Sequence, residues 1–188
     1  PLSVVDRDGD HIYGLLVGRA QNHGGKANSL TAPNPEAQAR LIEAAFLDGG
    51  VDPDTVGYVE AHGTGTALGD PIEVEGLKRA FGALYGSRKP RPSSCGLGSI
   101  KSNIGHLEYA AGVAGVIKVL LQMRHRTLAP SLNSEPRNPL IDFSGSPFHV
   151  IDQAVPWDVS RAALGGVLPR PAGVRSFCFC GVTYHLVF

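Results

Sequence analysis

The sequence predicts a layered α/β fold built on a central sheet. Three observations lead there. Apolar runs of strand length alternate with longer segments of helical periodicity. The strand candidates are apolar nearly throughout, the mark of strands covered on both faces. Glycine and proline gather at the joints between these segments and not in a low-complexity tract, which predicts tight loops. A length of 188 residues, 43% of them hydrophobic, suffices for one domain with its own core.

Residues 12–20, Ile-Tyr-Gly-Leu-Leu-Val-Gly-Arg-Ala, predict a first strand buried on both faces. Residues 22–35 form a polar loop. Residues 35–48 predict a helix with the apolar stripe Ala37, Leu41, Ala44 and Ala45, ended by Gly49 and Gly50. Residues 56–61 predict the next buried strand. It runs into Val59-Glu-Ala-His-Gly-Thr-Gly-Thr-Ala-Leu-Gly-Asp-Pro-Ile-Glu73, a glycine-rich turn and then a helix to about residue 84. Asp70 suits the N-cap of that helix, Pro71 its first position and Glu73 the capping-box acid.

Residues 95–100 predict a short strand broken by Gly96 and Gly98. After Lys101-Ser-Asn-Ile-Gly-His-Leu-Glu108 comes the most apolar helix, about residues 107–124. Apolar residues cover most of its circumference, which predicts burial on nearly all sides. Beyond Leu128 the chain is loop-rich as far as Pro147. Residues 148–151 predict a short strand, Trp157 covers an apolar surface, and residues 174–182 and 183–188 are two final strands around Gly181.

Composition excludes several functions. Formal net charge is zero, so no global field favours nucleic acid or an anionic membrane. The longest apolar run is far too short for a membrane span. Three cysteines set no disulfide framework, and Cys178 and Cys180 stand too close to bridge easily along an extended chain. A reducing cytoplasm is the expected location. The chain lacks a starting methionine, begins in what reads as a loop and stops in mid-strand, which predicts a piece of a larger polypeptide.

Of seven histidines, His11, His23, His125, His149 and His185 read as surface or structural. His62 and His106 differ. Each stands at a glycine-flanked turn between strand and helix, where open α/β sheets place ligand sites. Neither has cysteine or carboxylate partners at metal-ligand spacing, so no metal is expected. His106 reads as sitting just ahead of the long helix, whose positive end disfavours imidazolium. A neutral imidazole can donate to a developing oxyanion, and two such donors make an oxyanion hole. Lys101 and Glu108 flank His106 and can pair with each other. No nucleophile stands in an elbow at a helix start; Cys95 reads as an inert strand residue.

At these residues the sequence resembles a known family. Val59 to Glu73 resembles the His-Gly-Thr-Gly-Thr motif of β-ketoacyl synthases, and Lys101 to Glu108 their Lys-x-Asn-Ile-Gly-His motif. The segment from Pro130 to Ile151 is similar to the Pro-x-Leu…Asn-Pro…Phe stretch that follows. Val174 to His185 resembles the closing Ser-Phe-Gly-x-Gly-Gly-x-Asn-x-His block, with Cys178 and Cys180 where glycine is usual. The likeness is strongest to ketosynthase domains of modular type I polyketide synthases. Asn22 to Asn28 with Pro33-Asn-Pro35 resembles assembly lines served by a separate acyltransferase.

The resemblance implies a thiolase-like αβαβα fold of which residues 1–188 are the C-terminal half. The N-terminal half, with the acylated cysteine, is absent, and the full domain is a homodimer. The implied reaction is a decarboxylative Claisen condensation with malonyl-carrier protein. By this likeness His62 and His106 stabilise the enolate, Lys101 orients His106 with Glu108 as partner, and Thr64 and Thr66 hold the phosphopantetheine arm. Phe179 gates the site and lends an oxyanion N–H. No cofactor binds directly; the substrate rides on the phosphopantetheine of an acyl carrier protein, which Lys78, Arg79, Arg88, Lys89 and Arg91 can meet. The competing expectation is a non-catalytic remnant that binds a carrier protein or partner ketosynthase. A half-fold of this kind should expose a large apolar face.

Overall fold

The computed structural model describes residues 2–25, 33–157, 170–178 and 181–188. In chain order the strands are β1 (Gly18–His23), β2 (Tyr58–Glu60), β3 (Cys95–Gly98), β4 (Thr127–Leu128), β5 (Phe148–Val150), β6 (Val155–Pro156), β7 (Ala172–Phe177) and β8 (Val182–Val187). The helices are α1 (Leu2–Asp8), α2 (Pro35–Gly49), α3 (Gly69–Tyr85), α4 (Lys101–Ile104) and α5 (Ala111–His125). Among the described residues one mixed sheet runs β1-β8-β7-β2-β3-β5, and β4 pairs with β6 apart from it. β7, β2, β3 and β5 are mutually parallel, while β8 and β1 add antiparallel at one edge. The expected layered α/β fold is therefore present. No helix among the described residues is long and apolar enough to cross a membrane.

The pleat of β2 sorts the two cores. Val59 joins Ile42, Phe46, Leu77 and Phe81 beneath α2 and α3. Tyr58 points the other way, to Val119, Leu128 and Trp157 on the α5 side. Trp157 is buried edge-on against Tyr58, so it does cover apolar surface. Gly50 closes α2 left-handed at φ 60°, as expected, and at the other end Asn34 Oδ1, a cap not read from the sequence, accepts the N–H groups of Glu36 and Ala37.

Several expectations are corrected. The first strand begins only at Gly18; residues 12–17 lie outside the sheet with Ile12, Tyr13, Leu15, Leu16 and Val17 exposed. An apolar run signals a surface that needs covering, not a strand as such. The long helix starts at Ala111, after a 3-10 turn at Glu108–Ala110. Nor is it buried all round, since Val113, Ile117 and Leu121, four residues apart, form one exposed stripe. Asp70 does not cap α3, which starts at Gly69; Thr66 Oγ1 accepts the Gly69 N–H at 3.0 Å. Cys178 is disulfide-bonded, against the expectation; its carbonyl accepts the Gly181 N–H at 2.9 Å.

Candidate active site

Three parallel strands end at one edge of the sheet and deliver the site. β2 leads to His62, its neighbour β3 leads through Ser99 and Ile100 to α4 and His106, and β7 ends in Phe177. Ligand sites of α/β sheets lie beyond such carboxyl ends. The rings of His62 and His106 stand 5.4 Å apart at 82°, so the two turns expected to converge do converge.

Each ring is fixed through Nδ1. Phe177 N–H donates to His62 Nδ1 at 3.3 Å, and Glu108 N–H donates to His106 Nδ1 at 2.9 Å. An Nδ1 that accepts leaves the ring hydrogen on Nε2. Both histidines line one cavity of about 1550 Å³. They thus offer it donors of the same kind. Burial pushes His62 down to about 4, helped by Lys101, His106 and Arg175 and opposed by Glu73, so the ring is neutral at pH 7.

The reason given above for His106 does not apply, because a 3-10 turn separates it from α5. What holds it is backbone: Glu108 adopts φ 49°, and this left-handed turn follows Gly105 at φ 76°. The expected Lys101–Glu108 pair is also corrected. No ion pair joins them among the described residues; Glu108 is exposed and contributes its N–H rather than its carboxylate. Lys101 lies instead in the field of Glu73, Glu60 and Asp70, while burial lowers its pKa.

Thr64 and Thr66 both line the cavity. Phe179 and Cys180 lie outside the described residues. The basic residues are matched locally: Arg79 with Glu36 and Glu75, Arg88 with Asp52, Arg91 with Asp54, and Lys78 with the Asp142 carbonyl. Lys89 is exposed.

Sequence reasoning missed the supports. Glu73 accepts the N–H groups of His62 and Gly63 at 2.8 and 2.9 Å, spanning the turn that bears His62. Its helical spacing suggests only a cap; the apolar strand around Glu60 hides a second acid. Glu60 Oε2 accepts from Tyr58 Oη at 2.6 Å and Lys118 Nζ at 2.8 Å, and Oε1 accepts Ile100 N–H at 2.6 Å. One carboxylate thereby ties the strand before His62 to the turn before Lys101. A charge inside an otherwise apolar strand is the signal that marks it. His185 is fully buried against Phe46, and His23 lines the cavity. Burial pushes the Cys95 thiol well up, consistent with an inert strand residue.

The chain is similar to solved ketosynthases along its whole length. It superposes with a TM-score of 0.93 on an oxazolomycin ketosynthase domain of Streptomyces albus, at 42% identity, over 100% of this chain and 32% of that one. The ketosynthase from module 6 of the bacillaene synthase of Bacillus subtilis follows at 0.90 and 43% identity, over 100% and 32%. Among curated proteins, polyketide synthase PksN of Bacillus subtilis is 56% identical over 99% of this chain and 3% of its own length. Polyketide synthase ThaG of Burkholderia thailandensis is 52% identical over 100% and 3%. The chain thus spans about a third of the solved ketosynthases and a few per cent of these synthases. The family description that matches residues 13–135 is "Beta-ketoacyl synthase, C-terminal domain". With that match over more than half its length, and a thiolase-like α/β fold to go with it, this chain belongs to the β-ketoacyl synthase C-terminal domain family.

Proposed function

We propose that this chain supplies the histidine-bearing C-terminal half of a polyketide ketosynthase, an acyltransferase active together with an N-terminal half. The observation that carries the reading is the His62–His106 pair: rings 5.4 Å apart, each Nδ1 occupied by a backbone N–H, both facing one cavity. Two Nε2–H donors suit an oxygen that gains negative charge. The thioester carbonyl oxygen of malonyl-carrier protein takes both hydrogen bonds. As the bond to the carboxylate breaks, carbon dioxide leaves and its electron pair becomes the enolate. The enolate carbon attacks the acyl thioester on the partner half's cysteine, forming the new C–C bond and expelling thiolate.

Lys101 acts on His62 electrostatically and orients the pair, and Thr64 and Thr66 contact the phosphopantetheine arm from the cavity wall. Phe179 is retained as the gate by family likeness alone. The exposed Val113, Ile117 and Leu121 stripe and the apolar strap at 12–17 are where the N-terminal half packs. The assembled domain forms a homodimer and receives substrate from an acyl carrier protein.

The test is carbon dioxide release from malonyl-carrier protein by a complete ketosynthase domain with this chain as its C-terminal half. His62→Ala should lower release by about 10²–10³, the worth of one oxyanion donor. Undiminished release would overturn the reading. Pantetheine binding with no release from the unsubstituted domain would favour the carrier-binding alternative.

A further inference from the structure

We propose that Arg175 is a positioning residue for His62, a buried guanidinium that locks together the two groups holding that ring. Its side chain is 0% exposed and reaches from β7 to Glu73 of α3 and Gln38 of α2. Nη1 stands 3.4 Å from Glu73 Oε1 and donates to the Glu73 carbonyl at 3.3 Å. Nη2 donates to Gln38 Oε1 at 3.0 Å. The guanidinium carbon lies 4.8 Å from the Phe177 ring centroid.

Glu73 and Phe177 are the supports of His62. Glu73 holds its backbone N–H and that of Gly63. Phe177 donates its N–H to Nδ1 and holds its ring, tilted by 48°, 5.0 Å from the imidazole. Arg175 touches both supports and is not among the cavity-lining residues, so it acts through them. A buried carboxylate beside a buried guanidinium is kept only while each has the other. A planar fork can serve Glu73, Gln38 and an aromatic face together, which an ammonium cannot.

The arrangement has an electrostatic signature. The charged and titratable groups acting on His62 are Glu73 from α3, Lys101 from α4, His106 from the following turn and Arg175 from β7. Glu73 alone favours imidazolium; the other three oppose it. Removing Arg175 leaves Glu73 unopposed by its nearest cation.

The turnover half of this inference rests on the ketosynthase reading; the titration half does not. Both are measured on the complete domain, with isotope-labelled histidine reporting the His62 midpoint by NMR and carbon dioxide release reporting turnover. Arg175→Met is expected to raise the His62 midpoint, by less than burial depresses it, since Arg175 is the smallest of the charges acting on the ring. It should lower kcat about tenfold with KM nearly unchanged, the mark of lost orientation. Arg175→Lys is expected to keep the midpoint low yet lose kcat. An unchanged midpoint in a folded Arg175→Met domain, or full kcat in Arg175→Lys, overturns the proposal. Should Arg175→Met not fold, Arg175→Met with Glu73→Gln carries the test. A glutamine amide accepts with only one of its two heads, so one turn N–H loses its partner and kcat falls; kcat equal to the unsubstituted domain's overturns the proposal. Absence of release before any substitution would refute the ketosynthase reading while leaving the titration decisive.

Discussion

Replacing Lys118 with methionine removes one member of the buried Tyr58–Glu60–Lys118 cluster while keeping the length of the side chain. Lys118 Nζ lies 2.8 Å from both Glu60 Oε2 and Tyr58 Oη, with the Lys118 and Glu60 side chains 8% and 2% exposed. Breaking a buried pair by removing one partner costs about 3–5 kcal/mol. Glu60 keeps its bonds from Tyr58 and Ile100, both at 2.6 Å, and such charge-assisted bonds spread the stranded charge. That places the cost near the lower end, about 3 kcal/mol. In a domain of this size each kcal/mol moves Tm by about 2–4 °C, so Lys118→Met should lower Tm by roughly 6–12 °C. Adding Glu60→Gln removes the stranded charge and should recover most of the loss, to within about 1 kcal/mol. Thermal and urea unfolding of the three proteins give both numbers. A Lys118→Met Tm within about 2 °C of the parent, or a double variant no more stable than the single one, would refute the reasoning.

Three further outcomes follow from the same geometry. Burial holds His62 at about 4 and His185 at about 3, below the ordinary 6.5, so the unfolded chain binds more protons between those values. Stability is therefore fullest above pH 6.5 and falls as pH drops from 6.5 toward 4, with the His185 share continuing toward 3; urea midpoints that stay flat from pH 7 to 4 would contradict this. Gly63→Ala places a Cβ 2.7 Å from that of Ser99 at a backbone φ of 47°, and should cost about 1–3 kcal/mol and disable the turn that carries His62. Release assays and unfolding curves check it, and a fully active, stable variant would sink it. Ile117→Glu in the exposed stripe should reduce self-association of the chain expressed alone without unfolding it, as read by sedimentation; a parent that is already a clean monomer with no dye-binding surface would remove its basis.

Much of the frame was legible. α2 runs from a proline to a glycine pair, and both ends lie within a residue or two of where those residues put them. The strand before His62 and the two closing strands also stand close to where apolar runs and the turn at Gly181 put them. The site histidines could be singled out because a glycine turn ending a strand is a local event. The differences have two physical causes. The apolar residues at 12–17 and on the outer face of α5 were taken for core, yet hydrophobicity says that a surface needs a partner and not which partner covers it. Asp70 and Glu73 fit a helix start so well locally that nothing suggested their carboxylates would turn back to the backbone of Gly65, His62 and Gly63.

By itself the sequence determined the alternation of strand and helix, the two turns with their histidines, and the family those motifs belong to. All of these depend on residues close together along the chain. Tertiary structure alone decided which groups meet. Glu60 finds Lys118 58 residues away, and Arg175 reaches Glu73 across 102. These contacts exist because β7 and β3 flank β2, an order set by packing of the whole sheet and carried by no local propensity. The same order brings two imidazoles from separate turns to within 5.4 Å and gives each a backbone donor for Nδ1.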